Sequence, residues 1–399
     1  MHHKPKPSSQ NQQSRSAILP LPRRAKTPLF LLAASLLVCI APFAKAIAPM
    51  GDDAELFVTG VATVSENDNI FLSHTNATSS TILDLIPGLS YEFGKKDALT
   101  TGQFAYNEDF QMFSKSGNQL DYQLANVTFW VKYDDSANKF NFDASFHQAD
   151  QAEVGLQNVP YLVERDLYHV DGTDEINLTE KSSVSAGAAF DDTHYQAAGY
   201  VDYYYTEVPV NVYLKVEPKL DLSAGFRYRD NELGTGGISS DDYYYNVGAR
   251  GEFTPNLTGQ FTVGYQQEKF DNGLTYGGLG IDSNFTYSVD PKTSVTFGVN
   301  DDFSYVATGA AIRSVGVTLG FNSAISDQWS INGQVGYSNY SYIATTQRDN
   351  YYSGRLGLSY IVNTHLTLSA TYTYAQDQSN VLADSFTNNI VSISGSLRF

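Results

Sequence analysis

Three groups of residues in this chain have the types and spacing that could do chemistry. Glu66, Asp68 and Asn69 sit together in SENDNIF, and carboxylate and amide oxygens are the hard ligands that Ca²⁺ takes. The segment lacks the full loop and the distal bidentate Glu of an EF-hand, so a solvated acidic loop is expected there. His147, His194 and His365 offer imidazoles, but on separate segments, with no His-Glu-x-x-His and no Gly-x-Ser-x-Gly. A lipid hydrolase needs a Ser beside a His, and no such pair can be placed. No catalytic residue, metal or cofactor is expected. The third group is ionic: Arg227, Arg229, Arg250 and Arg355 together with Asp143, Asp221, Glu252, Glu268, Asp282 and Asp302. These charges share one side of alternating segments with Ser, Thr, Asn and Gln. If that side encloses water, opposed charges across it order the water and sort small polar solutes. A salt-bridge lattice that braces a wall and conducts nothing uses the same residues, and the sequence leaves both readings open.

The elements that must position these charges are strands. In LTGQFTVGYQQEK, Leu257, Gly259, Phe261, Val263 and Tyr265 point one way and Thr258, Gln260, Thr262, Gly264 and Gln266 the other. Leu366, Leu368, Ala370, Tyr372 and Tyr374 likewise oppose Thr367, Ser369, Thr371 and Thr373. No window after the amino-terminal region keeps a helical period. The chain divides into about 18 such segments, beginning near 54, 80, 97, 119, 138, 161, 181, 198, 219, 240, 256, 276, 292, 311, 328, 348, 365 and 384. Every second connection is tight and rich in turn formers: GKKD (94–97), DDSANK (134–139), TEK (179–181), EPK (217–219), TPN (254–256), DPK (290–292), SDQ (326–328) and NTH (363–365). The intervening connections are longer. Eight turns at one end and nine loops at the other is what 18 antiparallel strands give. Two stretches resist. In QLDYQLANVTFWVKYD the apolar side changes parity between Leu124 and Val127, which calls for a bulge or a shifted boundary. YLVERDLYHVDGTDEINL is polar for a strand, so 16 strands stay possible.

The chain ends on VSISGSLRF, in which Val391, Ile393, Leu397 and Phe399 oppose Ser392, Ser394, Ser396 and Arg398. That ending resembles the closing strand of bacterial outer-membrane β-barrels, where the terminal aromatic, here Phe399, serves the machinery that inserts them. The other end fits export. Lys4, Lys6, Arg15, Arg23, Arg24, Lys26 and Lys45 precede position 47 with no acidic residue, around the apolar run LFLLAASLLVCIAPFA. Ala44-Lys45-Ala46 matches a small-x-small cleavage site, so residues 1–46 read as a Sec-type signal and 47–399 as the barrel. The apolar run is shorter than the roughly 20 residues of a spanning helix. Cys39, the one cysteine, falls inside that leader. Setting the seven leader basics aside from 25 Lys and Arg leaves 18 against 43 Asp and Glu, a formal charge of −25. So acidic a chain is excluded as a general nucleic-acid binder.

If the apolar side meets lipid, basic residues should avoid it, since Arg or Lys there costs roughly 2–4 kcal/mol near the midplane. Arg227 and Arg229 oppose Leu222 and Phe226, Arg250 opposes Val247 and Ala249, and Arg355 opposes Leu356 and Leu358. Arg313 breaks the rule near a loop end. Tyr203-Tyr204-Tyr205, Tyr243-Tyr244-Tyr245 and Tyr351-Tyr352 are expected in the outer aromatic girdle. No loop is long enough to fold back as a constriction.

ELFVTGVATVSENDNIFLS, then LDLIPGLSYEFG around Pro87 and Gly88, and the later hairpin GARGEFTPNLTGQFTVGYQQEKF resemble the β-barrel porin type-2 family of bacterial outer-membrane proteins. The likeness implies a barrel and, more weakly, a porin-like or exopolysaccharide-associated role. The combined expectation is an all-β, transmembrane, antiparallel up-and-down barrel of about 18 strands in the outer membrane. It would pass small polar solutes or glycans by passive diffusion, with Arg227, Arg229, Arg250, Glu252, Glu268, Asp282, Asp302 and Arg355 lining the pore. The alternative is a non-conducting barrel tied to surface polysaccharide assembly or export. Its expected partners are outer-membrane lipid and lipopolysaccharide, the insertion machinery and the solute.

Overall fold

The alternation is realised as one closed antiparallel barrel. A computed structural model describes residues 48–49, 53–94, 97–115, 120–135, 137–150, 152, 159 and 161–399. The expected leader, 1–46, lies outside the described residues. The first nine barrel strands, β1 to β9, are Ala54–Asn67, Ser80–Phe93, Thr100–Phe113, Tyr122–Asp134, Asn138–Ala149, Arg165–Thr179, Ser182–Tyr195, Tyr203–Glu217 and Leu220–Leu233. The second nine, β10 to β18, are Ser240–Thr254, Leu257–Phe270, Thr275–Asp290, Thr293–Tyr305, Ala311–Ala324, Trp329–Tyr342, Arg348–Ile361, Leu366–Ser379 and Phe386–Arg398. Each pairs with its chain neighbours, and β18 returns to β1 from Ile390↔Asn67 to Arg398↔Thr59. Beyond that register Phe399 and Val58 exchange two backbone hydrogen bonds of 2.8 and 2.9 Å. Closure gives every strand two neighbours, as the hydrocarbon layer demands because it supplies no partner for an open N–H or C=O. A two-residue segment, Ala48–Pro49, pairs with the start of β1.

All eight tight connections fall where the turn residues stand, and the strand starts lie within a few residues of the expected ones. Pro218, Pro255 and Pro291 each occupy the connection itself, where a missing N–H costs nothing. The other ends carry the longer loops, so the barrel has a turn end and a loop end. The apolar side is the outer surface: Val208, Val210, Val212 and Leu214 of β8 and Val247 of β10 stand exposed in rows. An apolar surface this continuous is stable only against acyl chains. The tyrosine runs split by the strand's own period. Tyr204, Tyr245 and Tyr352 are exposed outside and Tyr243 is half-buried on that same face, while Tyr205, Tyr244 and Tyr351 point inward. The expectation that whole runs join the girdle is therefore corrected, because consecutive strand residues cannot share a face.

Both stretches that resisted are strands. β4 pairs with β3 without a register shift, and Leu124 simply faces the interior, where it is buried. The polar stretch forms β6, whose Asp171 and Glu175 face the interior with Thr173. The Ca²⁺ candidates instead stitch the closing seam. Asp68 accepts the N–H and side-chain amide of Asn389, both at 2.7 Å, Glu66 accepts from Thr81, and Asn69 bonds to Ser73 and Thr387.

Candidate pore lumen

At the loop end the interior is crossed by an ionic lattice. Arg227 and Arg229, two apart on β9 and so on one face, reach Asp302 of β13, four strands away. Arg227 Nη2 lies 2.8 Å from Asp302 Oδ1 and 2.9 Å from Asp242 Oδ1 of β10. Both Arg229 amino groups lie 3.2 Å from Asp302, and Nη2 donates to the Phe303 carbonyl at 2.9 Å. Glu207 of β8 adds a third carboxylate at 3.5 Å from Arg227. Asp242 and Glu268 are fully buried, each at 0% exposure. Glu268 accepts from Ser240 and Tyr305 at 2.8 and 3.0 Å.

The lattice is possible because the wall itself turns inward. The β12–β13 ladder stops at Ile281↔Asp301, although β12 runs on to Thr275 against β11 and β13 runs on to Tyr305 against β14. Above the break the β13–β14 hairpin tip leans across the lumen, and Phe303, Val306, Ala307, Ala311 and Ile312 are buried. The Tyr305 hydroxyl meets Ser240 at 2.6 Å, its ring contacts Tyr203 of β8, and the Ala307 carbonyl accepts from Val201 N at 2.9 Å. The tip turns at Gly309, whose positive φ of 77° suits glycine and whose missing Cβ leaves room for Val201. A constriction therefore exists, contrary to the expectation from loop length: strand ends build it, with a loop of only 306–310.

Two apolar clusters complete the roof. Val163, Tyr195 and Ala307 pack together, and Ile70, Phe71, Phe113, Leu120 and Leu162 form the second. Beside the second, Asp150 is wholly buried with neither carboxylate oxygen hydrogen-bonded among the described residues. Burial above all pushes its carboxyl up to about 7; repulsion from Asp109 adds to this, while its own backbone N–H and the Arg165 charge oppose it.

Below the roof the interior opens. A cavity of about 480 Å³ lies against β8–β13, with Tyr213, Arg227, Tyr244, Arg250, Asp282 and Asn300 in its lining. Gln260, Asp282, Asn300, Thr318, Gln334 and Arg355 are exposed on the inner face of β11–β16, where Asp282 pairs with Asn300 and Gln334 with Arg355. Arg355 is exposed on the inner face and has no ion-pair partner among the described residues.

The eight pore-lining candidates thus all sit on the inner face but divide by height. Arg227, Arg229, Glu268 and Asp302 belong to the loop-end lattice. Arg250 lies lower, on Glu175 of β6 at 2.6 and 2.9 Å, on Asp221 at 3.2 Å, and stacked 3.3 Å from the Tyr213 ring centroid. Glu252 pairs with Lys219 at the turn end. Only Asp282 and Arg355 face open lumen without an ion pair. Sequence reasoning missed Glu175, Glu207, Asp242 and Tyr305, all legible as inward parity but attached to no partner until the barrel curvature is known. Phe399 closes the barrel with its ring stacked 5.5 Å from His365. His147 and His194 bond separately to Asn126 and Asp202.

A family model, putative beta-barrel porin 2, matches residues 180–399. The chain belongs to that family. It is a family of porin-like barrels of the bacterial outer membrane, in keeping with the fold. Solved structures similar to the chain include the FrpB iron transporter of Neisseria meningitidis, at 11% identity and TM-score 0.49 over 83% of this chain and 62% of that one. OccAB4 of Acinetobacter baumannii matches at 10% identity and TM-score 0.46, over 88% and 99% of the two chains. The outer membrane protein OpdK of Pseudomonas aeruginosa matches at 9% and 0.47, over 86% and 99%. The chain spans less than two thirds of the length of FrpB. No curated protein matches it in sequence.

Proposed function

We propose that the protein is a porin-like channel for passive diffusion of small polar solutes or short glycans, wide on the turn side and roofed at the loop side. The observation that carries this reading is Arg355, an exposed guanidinium on the inner wall with no ion-pair partner among the described residues. A charge so placed is tolerated only where water is continuous with bulk solvent, because an isolated ion in a dry interior costs far more than a strand can repay. Residues 1–46 serve as the export signal, Phe399 as the mark read by the insertion machinery, and lipopolysaccharide surrounds the loop end. No catalytic role is proposed.

The test is a single reversal. Arg355→Glu leaves thermal stability within about 0.5 kcal/mol, as for a solvated site, and shifts the reversal potential in a salt gradient toward cation selectivity. A purified, folded barrel that gives no conductance steps in planar bilayers refutes the channel. One specific observation favours the second reading, a closed barrel serving surface polysaccharide: the buried lattice spans the loop end in this structure. Altered surface polymer with normal solute uptake in a deletion strain supports it.

A further inference from the structure

The break between β12 and β13 is finished rather than frayed. The ladder partners it forfeits are replaced by side chains. On the β12 side, the Leu279 carbonyl accepts from Gln266 Nε2 at 2.9 Å and Arg313 Nη2 at 3.1 Å. On the β13 side, Arg229 caps the Phe303 carbonyl and the Asp302 carboxylate caps Phe303 N at 2.8 Å. An open ladder in hydrocarbon is costly unless its backbone groups find other partners, and the Leu279 carbonyl and the Phe303 N–H and carbonyl find them here. Arg313, the one arginine of outward parity, pairs with Asp301 of its own hairpin at 2.7 and 2.5 Å and reaches across the seam only to the Leu279 carbonyl. Gly278 leaves the space it occupies, since a Cβ there would lie 3.2 Å from its Nη1.

The docked hairpin is not fully satisfied. Asp242 Oδ2, Glu268 Oε2, Arg227 Nε and Arg229 Nε are buried without hydrogen-bond partners among the described residues. Orphaned polar groups penalise the docked position. The undocked position instead offers backbone bonds: continuing the register beyond Ile281↔Asp301 pairs Gly280 with Asp302 and Gly278 with Ser304. Two arrangements of one hairpin, each satisfied in part, define a bistable element.

We propose that residues 302–313 are a gate with two positions. Docked, they cross the lumen and hold the ionic lattice. Undocked, β13 zips onto upper β12, Arg313 leaves the seam, and the lumen opens through the loop end. The proposal rests on the channel reading for its consequence, but the motion can be read without it.

Cysteine pairs test the gate in a Cys39→Ala background, in lipid vesicles. Val201→Cys with Ala307→Cys locks the hairpin docked; Gly278→Cys with Ser304→Cys captures it zipped. Both pairs are expected to oxidise. Conductance should be severalfold lower in the first than in the second, with reduction bringing the two together. Arg313→Gln, which needs no disulfide, should raise conductance severalfold. Failure of Gly278→Cys/Ser304→Cys to oxidise in folded barrels, or equal conductance of the two oxidised forms, overturns the gate. Oxidation of both pairs in barrels that never conduct keeps the motion and refutes the channel.

Discussion

Asp302→Asn tests the lattice at its most connected point. The substitution keeps shape and removes one charge from a carboxylate that accepts four contacts, two from Arg227 and two from Arg229, between 2.8 and 3.2 Å. Breaking a buried ion pair from one side costs about 3–5 kcal/mol. The Asp302 side chain is 32% exposed, and Asp242 and Glu207 remain 3.8 Å from Arg229, so about 2–3 kcal/mol is the appropriate share. At 1.4 kcal/mol per decade this favours the undocked hairpin by roughly 30- to 150-fold. The eighteen ladders outside the lattice are untouched, so global unfolding should scarcely change. Hydrogen exchange resolved by peptide is the assay: the Val201 amide, which donates to the Ala307 carbonyl of the docked hairpin, should exchange faster by that factor while the amides of β15–β18 do not. Arg229→Met, made alone and with Asp302→Asn, should show coupling, since each loses the same contact. Unchanged exchange at Val201, or a matching loss across the whole barrel, refutes the lattice as a local lock.

Two other outcomes follow from the same geometry. Val247→Arg places a charge on an outward position that is 59% exposed to the acyl layer, and should lower stability by roughly 2–4 kcal/mol in denaturant titration from vesicles if it lies near the midplane; Val247→Leu should be neutral. Asp150 has a folded pKa raised to about 7 from 3.8, so the folded state holds its proton longer than the unfolded one. Docking of its loop should therefore be strongest below pH 4, weaken as pH rises to about 7, and level off above. Limited proteolysis of that loop should follow this profile, and Asp150→Asn should flatten it.

How much of this was legible follows from what each signal measures. Period-two alternation reports which residues share a face, and turn residues report where the chain reverses. Both are local, so strand number, the eight tight turns, the inward set of charges and the closing role of Phe399 could be read residue by residue. Partner choice inside a barrel depends on curvature and height, which no single strand carries. Arg250 shares the inward parity of Arg227 but lies nearer the turn end, on Glu175 four strands away. The tyrosine runs divide for a simpler reason, since neighbouring strand residues point to opposite faces.

The inward hairpin shows the deepest version of this limit. Constriction was sought in loop length, whereas the connection involved spans only 306–310. Its trace in sequence is a set of small irregularities: an arginine of outward parity at 313, and glycines at 277, 278 and 280 on the facing strand. Alone, each is a tolerated exception. Together they mark a strand edge with little to pack and a cation ready to cap it, which is what a seam in the wall requires. An out-of-place charge opposite a glycine-rich strand is therefore a readable sign of a broken ladder, because a membrane barrel can keep such a break only if side chains replace the backbone partners it loses.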